Sequence, residues 1–181
     1  MRIRTICPLI LTLVGFSAGQ VCNTATTLRP GQFSIGIAPI IYPHGGDADL
    51  FLNAGVGIAR SMDLSLKAIV NGHTNYFGGD FEFVVVSGFP TISLAAGMHS
   101  RDNLGIDGTF NLTLPIRRVV SLYGGVDADI EFRHDETGFP LWGFAGFQVM
   151  ARRHFGLFME IDLGINDGAP DMLDLGMQVF F

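Results

Sequence analysis

The chain has 181 residues, with 17 acidic side chains against 11 lysines and arginines and a formal net charge of −6. That acidity excludes the basic footprint a nucleic-acid binder needs, and the length suits one domain with a sizeable core. Apolar residues make up 48% and Lys67 is the only lysine, too few long cations to clothe the outer face of a water-soluble β domain.

Residues 1–19 have the layout of a secretory signal peptide. Arg2 and Arg4 precede an apolar run from Ile6 to Phe16, followed by Ser17, Ala18 and Gly19, with cleavage expected after Gly19. The apolar run is too short to span a bilayer as a permanent helix. Cys7 leaves with this segment, so Cys22 has no intramolecular partner and the domain is not a disulfide scaffold. Cys22 also admits a lipid anchor, although the residues before it, Gly19–Gln20–Val21, fit such sites poorly. Residues 20–31 form a leading segment, and 32–181 the domain.

From residue 32 onward the signal is period two, the mark of half-buried strands. Phe33, Ile35, Ile37, Pro39 and Ile41 share one face, as do Leu50, Leu52, Ala54, Val56 and Ile58. Leu64, Leu66, Ala68 and Val70 follow, then Phe81, Phe83 and Val85, then Ile92, Leu94, Ala96 and Met98. The longest alternations run through Leu104–Ile116 and Val120–Phe132. The stretch Leu141–Ala151 is ambiguous, with apolar residues on both faces; Phe155–Ile165 and Leu173–Phe181 alternate cleanly. Ten strands are therefore expected, with eight as the alternative count. Connections after odd strands, such as PHGGDA, GHTNYFGG, SRDN, RHDETG and NDGAPD, are mostly longer than those after even strands, such as RSMD, GFP and RRH. All are short enough for antiparallel neighbours and too short for parallel crossovers.

The face opposite the apolar one is polar and small, with Ser34, Gly36, Asn53, Gly55, Glu82, Gly97, His99, Thr109, Asn111 and Gly125 among its members. Glycine on the outer sheet of a soluble barrel would weaken it for nothing. Packed into a narrow polar lumen, glycine has a use. Apolar outside, polar inside, an even strand count and turns at one end with loops at the other describe an outer-membrane barrel. The ending LDLGMQVFF resembles the terminal strand of bacterial outer-membrane β-barrels, in which a final Phe follows alternating apolar residues. The resemblance implies a closed up-and-down antiparallel transmembrane β-barrel, OmpA-like or OmpX-like in size, with 20–31 on the periplasmic side. It also implies that Phe181, Val179 and Met177 are an assembly signal read by the barrel-assembly machinery, with outer-membrane lipid as the surrounding partner.

Candidate chemistry lies inside and at the rim. Asp127, Asp129 and Glu131, two apart, all point into the lumen, and a turn at Arg117–Arg118 sets Asp107 beside Asp127 or Asp129. Glu160 and Asp162 repeat the pattern, with Lys67 as the one clear lumenal cation. Rings of acids favour cations, so one reading is a narrow cation-preferring pore. The other is a filled lumen in which acids share protons, pair with Lys67 or bind water, leaving a structural or surface-interaction role with a ligand the sequence does not reveal. A rim hydrolase would draw on His44, His73, His99 and His134 with Asp47, Asp102 and Asp135, but MHSRDN lacks the His-x-Ser pattern of lipid A deacylases, and the loops are too short for an omptin-like cleft. A soluble lipocalin-like binder is a further alternative. No cysteine–histidine metal spacing, phosphate loop or nucleophile elbow is present, so no cofactor is expected and no enzyme is assigned.

Overall fold

The computed structural model describes residues 24–45, 48–70, 76–101, 103–134 and 136–181. The expected signal peptide, Cys22, Asp47, His73, Asp102 and Asp135 lie outside these residues. Eleven strands form one antiparallel sheet closed on itself: β1 (Phe33–Ile41), β2 (Ala48–Ala59), β3 (Met62–Val70), β4 (Tyr76–Val86), β5 (Thr91–Arg101), β6 (Asn103–Arg117), β7 (Val120–Phe132), β8 (Thr137–Gly138), β9 (Leu141–Arg152), β10 (Phe155–Gly164) and β11 (Met172–Phe180). Strands pair with their chain neighbours, except that β8 and β9 both pair with β7, and β1 pairs with β11 to close the ring.

The ring has ten staves, because β8 and β9 are one strand with a gap. Both pair with β7 in a single unbroken register, Phe132 opposite Thr137 at one end and Ala128 opposite Leu141 beyond the gap. Pro140 lacks an amide hydrogen to donate to the ladder, although its carbonyl still accepts from Asp129 N at 3.0 Å.

One end of the barrel is drawn tight by connections at 60–61, 87–90, 118–119 and 153–154. Register shifts at Gly57/Ala59, Val84/Val86, Pro115/Arg117 and Phe155/Gly156 all fall at this end, where bulges increase the local twist. The other end carries the connections at 42–47, 71–75, 102, 133–136 and 165–171. Two of these are shorter than the sequence pattern suggests. Tyr76–Gly79 and Ser100–Arg101 are strand, because their cross-strand partners continue that far.

Side chains alternate outward and inward along the staves. Phe33, Ile35, Phe77, Met98, Leu104 and Leu163 each leave more than half of their surface uncovered, and the outward positions form an apolar belt. Charged groups are inside, the reverse of a soluble ligand-binding barrel.

The described part of the leading segment, residues 24–31, lies against the inner wall at the tight end. Arg29–Pro30–Gly31–Gln32 form a turn in which Gln32 N donates to Arg29 O at 2.9 Å. Pro30 pre-sets the second position, and Gly31 at φ +78° fills the third, where a type II turn requires positive φ. The turn sends the preceding residues back into the lumen. There Ala25 N donates to Thr113 Oγ1 at 2.7 Å and Leu28 N to Asp63 Oδ2 at 2.8 Å, both buried. Gly57 leaves room for this crossing, since a Cβ there would run into Arg29 O.

With this seating, Ala25→Cys in a chain with Cys7 and Cys22 replaced by serine should react slowly with maleimide. Adding Gly31→Val, which strains the turn, raises the labelling rate while heat-modifiable gel migration is retained.

Candidate functional site

The lumen has three compartments, and the register explains each. The first is a charged network on β3–β7 towards the loop end. Reading across the strands, Lys67, Gly78, His99, Gly105 and Glu131 make one inward row. Ser65, Asp80, Gly97, Asp107 and Asp129 make the next. Long side chains alternate with glycine. The His99 ring lies over Gly105, and the Asp80 and Asp107 carboxylates converge over Gly97, so a Cβ at either glycine would collide with them. The inward glycines are the space that the charged groups occupy.

Within this network Lys67 Nζ pairs with Asp80 Oδ2, which also accepts from Ser65 Oγ at 3.0 Å. His99 sits between two acids, with Nδ1 3.1 Å from Asp107 Oδ2 and Nε2 3.9 Å from Asp129 Oδ2. The ring of Tyr76 stacks on it at 5.5 Å. Thr109 Oγ1 donates to Asp127 Oδ1 at 2.7 Å. Glu82 accepts from Ser93 Oγ and from Asn111 Nδ2. Near the rim, Arg133 donates through Nε and Nη2 to Glu131 Oε2 at 3.1 and 2.8 Å, and that carboxylate raises its guanidinium pKa.

The second compartment is apolar. Ala38, Ile40, Tyr42, Phe51, Ile69, Tyr76, Trp142, Phe158 and Met172 pack into one buried cluster, mostly in the loop half of β1–β4 and β9–β11. Trp142 is fully buried and donates Nε1–H to Pro170 O at 3.0 Å. Tyr42 Oη donates to Asp49 Oδ2 at 3.1 Å; burial and then the Asp49 charge raise its phenol pKa above the usual tyrosine range.

The third compartment is a cavity of about 770 Å³ in the tight-end half, lined by Ser34, Asn53, Lys67, Glu82, Gln148, Arg153 and Gln178 among others, and by Thr24–Arg29 of the inserted segment.

The expected site residues all lie inward and buried: Lys67, Asp107, Asp127, Asp129, Glu131, Glu160 and Asp162. The turn after β6 puts Asp107 opposite Asp129 and Thr109 opposite Asp127. Lys67 does not stand alone as a lumenal cation: Arg101 and His99 are buried there too. His99 therefore belongs to the lumen, not the rim. His44 is at the rim, 3.3 Å from Asp171 and exposed, while His134 is exposed; the histidines among the described residues do not converge on one cleft. Asp80 and Asp174 are lumenal acids that period two also marks, two residues from Glu82 and Gly176. Asp80 hides at the edge of its sequence pattern, because Gly78 and Gly79 before it read as loop. Of the terminal residues, Phe181 pairs its backbone with Phe33, Val179 lies opposite Ile35 and Met177 opposite Ile37.

No protein-family model and no curated protein matches the chain. Solved structures do. A KdgM porin superposes with a TM-score of 0.53 at 10% identity, covering 82% of this chain and 99% of that one. A KdgM porin in complex with disordered oligogalacturonate gives 0.50 at 8% identity, covering 83% and 99%. The outer membrane protein OprG from Pseudomonas aeruginosa gives 0.42 at 15% identity, covering 86% and 98%. What is shared is the fold: this chain is a closed ten-stave antiparallel barrel of the kind built by small bacterial outer-membrane proteins.

Removing one partner of a buried ion pair costs about 3–5 kcal/mol. Lys67→Met should lose about that much in urea unfolding from lipid vesicles, and Lys67→Met with Asp80→Asn should recover part of it. Gly105→Val should also destabilise, by displacing the His99 ring.

Proposed function

We propose that this chain is an integral outer-membrane protein whose lumen is closed, with a structural or surface-interaction role rather than transport. The observation that carries this is the filling of the loop half. Ile40, Phe51, Trp142 and Met172 are at most 2% exposed, and so are Asp127, Glu160, Asp162 and Asp174 beside them. Water reaches none of these side chains. The cavity beyond them is narrowed at the tight end by residues 24–29.

The outward belt supports the membrane location. Its exposed aromatic and aliphatic residues are what lipid tails solvate, and closure leaves no unpaired sheet edge in the hydrocarbon. Lipid is then the partner of the outer face. In this reading Phe181, Val179 and Met177 are the signal for the assembly machinery, and the exposure of Phe181 and Met177 supports it. The charged network supports a structural role for the lumenal acids, since Lys67 pairs with Asp80 and His99 hydrogen-bonds Asp107 in place. In this reading, interaction with the outside falls to the loop-end rim.

The competing reading is a cation-preferring pore, and planar-bilayer recording separates the two. The closed barrel gives no discrete conductance steps, whereas Phe51→Ala with Trp142→Ala, which empties the apolar cluster, gives them. Steps from the unaltered chain that lose cation preference in Asp127→Asn with Asp129→Asn would overturn the closed reading. The belt has its own test. Ile161→Arg, at an exposed position midway along β10, should cost about 2–4 kcal/mol of stability in a bilayer, the range for a cation at the midplane. The same change at Phe33, near the tight end, should cost about 0–1 kcal/mol.

A further inference from the structure

The carboxylates of Glu160 and Asp162 on β10 and Asp174 on β11 converge inside the barrel, with one oxygen from each lying within 4.8 Å of the others. The register brings them together. Glu160 stands opposite Asp174, and Asp162 is the next inward residue along β10, opposite Met172. All three are buried to within 1% of completely.

Clustering alone assigns nothing, but these acids differ from the others in the lumen. Apart from the contact of the two carboxyl groups with each other, both carboxylate oxygens of Asp174 and Oδ2 of Asp162 have no hydrogen-bond donor. Neither residue forms an ion pair with a lysine, arginine or histidine among the described residues. The other triad, His99 with Asp107 and Asp129, holds its own basic group, the imidazole between the two acids. Buried charge is held in proteins by pairing or by a metal, and for Asp162 and Asp174 no pairing cation stands among the described residues.

We propose that Glu160, Asp162 and Asp174 bind one Ca²⁺ ion. The donors are all oxygen, which selects a hard cation over zinc or copper. Three carboxylates supply up to six oxygens, the lower end of the Ca²⁺ range, and Asp174, neither of whose oxygens takes a donor from outside the triad, suits bidentate coordination. Mg²⁺ fits less well, because it dehydrates reluctantly and keeps several waters, and Met172 and Phe144, register neighbours of Asp162, are buried apolar groups. The ion would tie β10 to β11 from the inside.

The test uses the full chain refolded in detergent without lipopolysaccharide, stripped with EDTA and titrated with Ca²⁺. One Ca²⁺ per barrel should survive gel filtration, and the melting temperature should rise with Ca²⁺ concentration, as for any ligand of the folded state alone. Asp162→Asn with Asp174→Asn should lose both effects and keep heat-modifiable migration, while Asp107→Asn should keep both. Metal retained equally by the double variant would overturn the assignment. So would a parent chain that releases all its metal and melts alike with and without Ca²⁺, its triad showing the infrared carbonyl stretch of protonated carboxyls. Should the double variant not fold, Mn²⁺ paramagnetic resonance on the parent chain decides: an immobilised signal displaced by Ca²⁺ supports the site, and free aqueous Mn²⁺ alone refutes it.

Discussion

The inside of a ten-stave barrel has a fixed girth, and everything in this structure follows from fitting side chains into it. Closing the sheet sets the distance across the lumen, so in the loop half each inward row must match its summed volume to one available space, while the tight-end rows leave a cavity. The rows meet that constraint by alternation. Lys67, His99 and Glu131 are separated around the ring by Gly78 and Gly105, and Asp80 and Asp107 meet over Gly97. Where the row carries bulk instead, as at Trp142, Phe51 and Phe158, the same space is filled by hydrocarbon. Close packing then leaves water out.

Filling the lumen in two different ways has an electrostatic consequence. Charges on β3–β7 are desolvated by the apolar cluster across from them, which strengthens each pairing and makes each unpaired group expensive. Lys67 and His99 answer for the acids on their side. Asp162 on β10 and Asp174 on β11 form no ion pair with a lysine, arginine or histidine among the described residues. The polarity of the lumen is therefore uneven, and its two sides are satisfied by different means.

Most of the architecture was legible in the sequence, because period two survives wherever the outward face is apolar and the inward face polar. Leu104–Ile116 and Val120–Phe132 alternate without a break, and the register of β6 on β7 then follows from a short turn. The apolar cluster was hard to read for the opposite reason. Ile40 lies between Pro39 and Ile41, Phe51 between Leu50 and Leu52, and Phe158 between Leu157 and Met159. An inward hydrophobe flanked by outward ones erases the alternation, and such triplets are the signal that would have located the cluster. The Pro30–Gly31 pair announces a turn, but the destination of residues 24–28 depends on Thr113 and Asp63, which are distant in sequence. The triad on β10 and β11 needs the register as well, since Asp174 stands twelve positions beyond Asp162.

The seam between β1 and β11 joins the first described strand to the last, Ile35 opposite Val179 and Ile41 opposite Leu173. Every other pairing joins chain neighbours, so most of the sheet can assemble by local contacts, but its closure is as non-local as this chain permits and is the slow kind of step. Until β11 arrives, the growing sheet has two raw edges, each able to pair with another copy of itself. Such a chain is safest when held extended from synthesis to insertion, and the time it spends with those edges open sets how much escort it needs on the way.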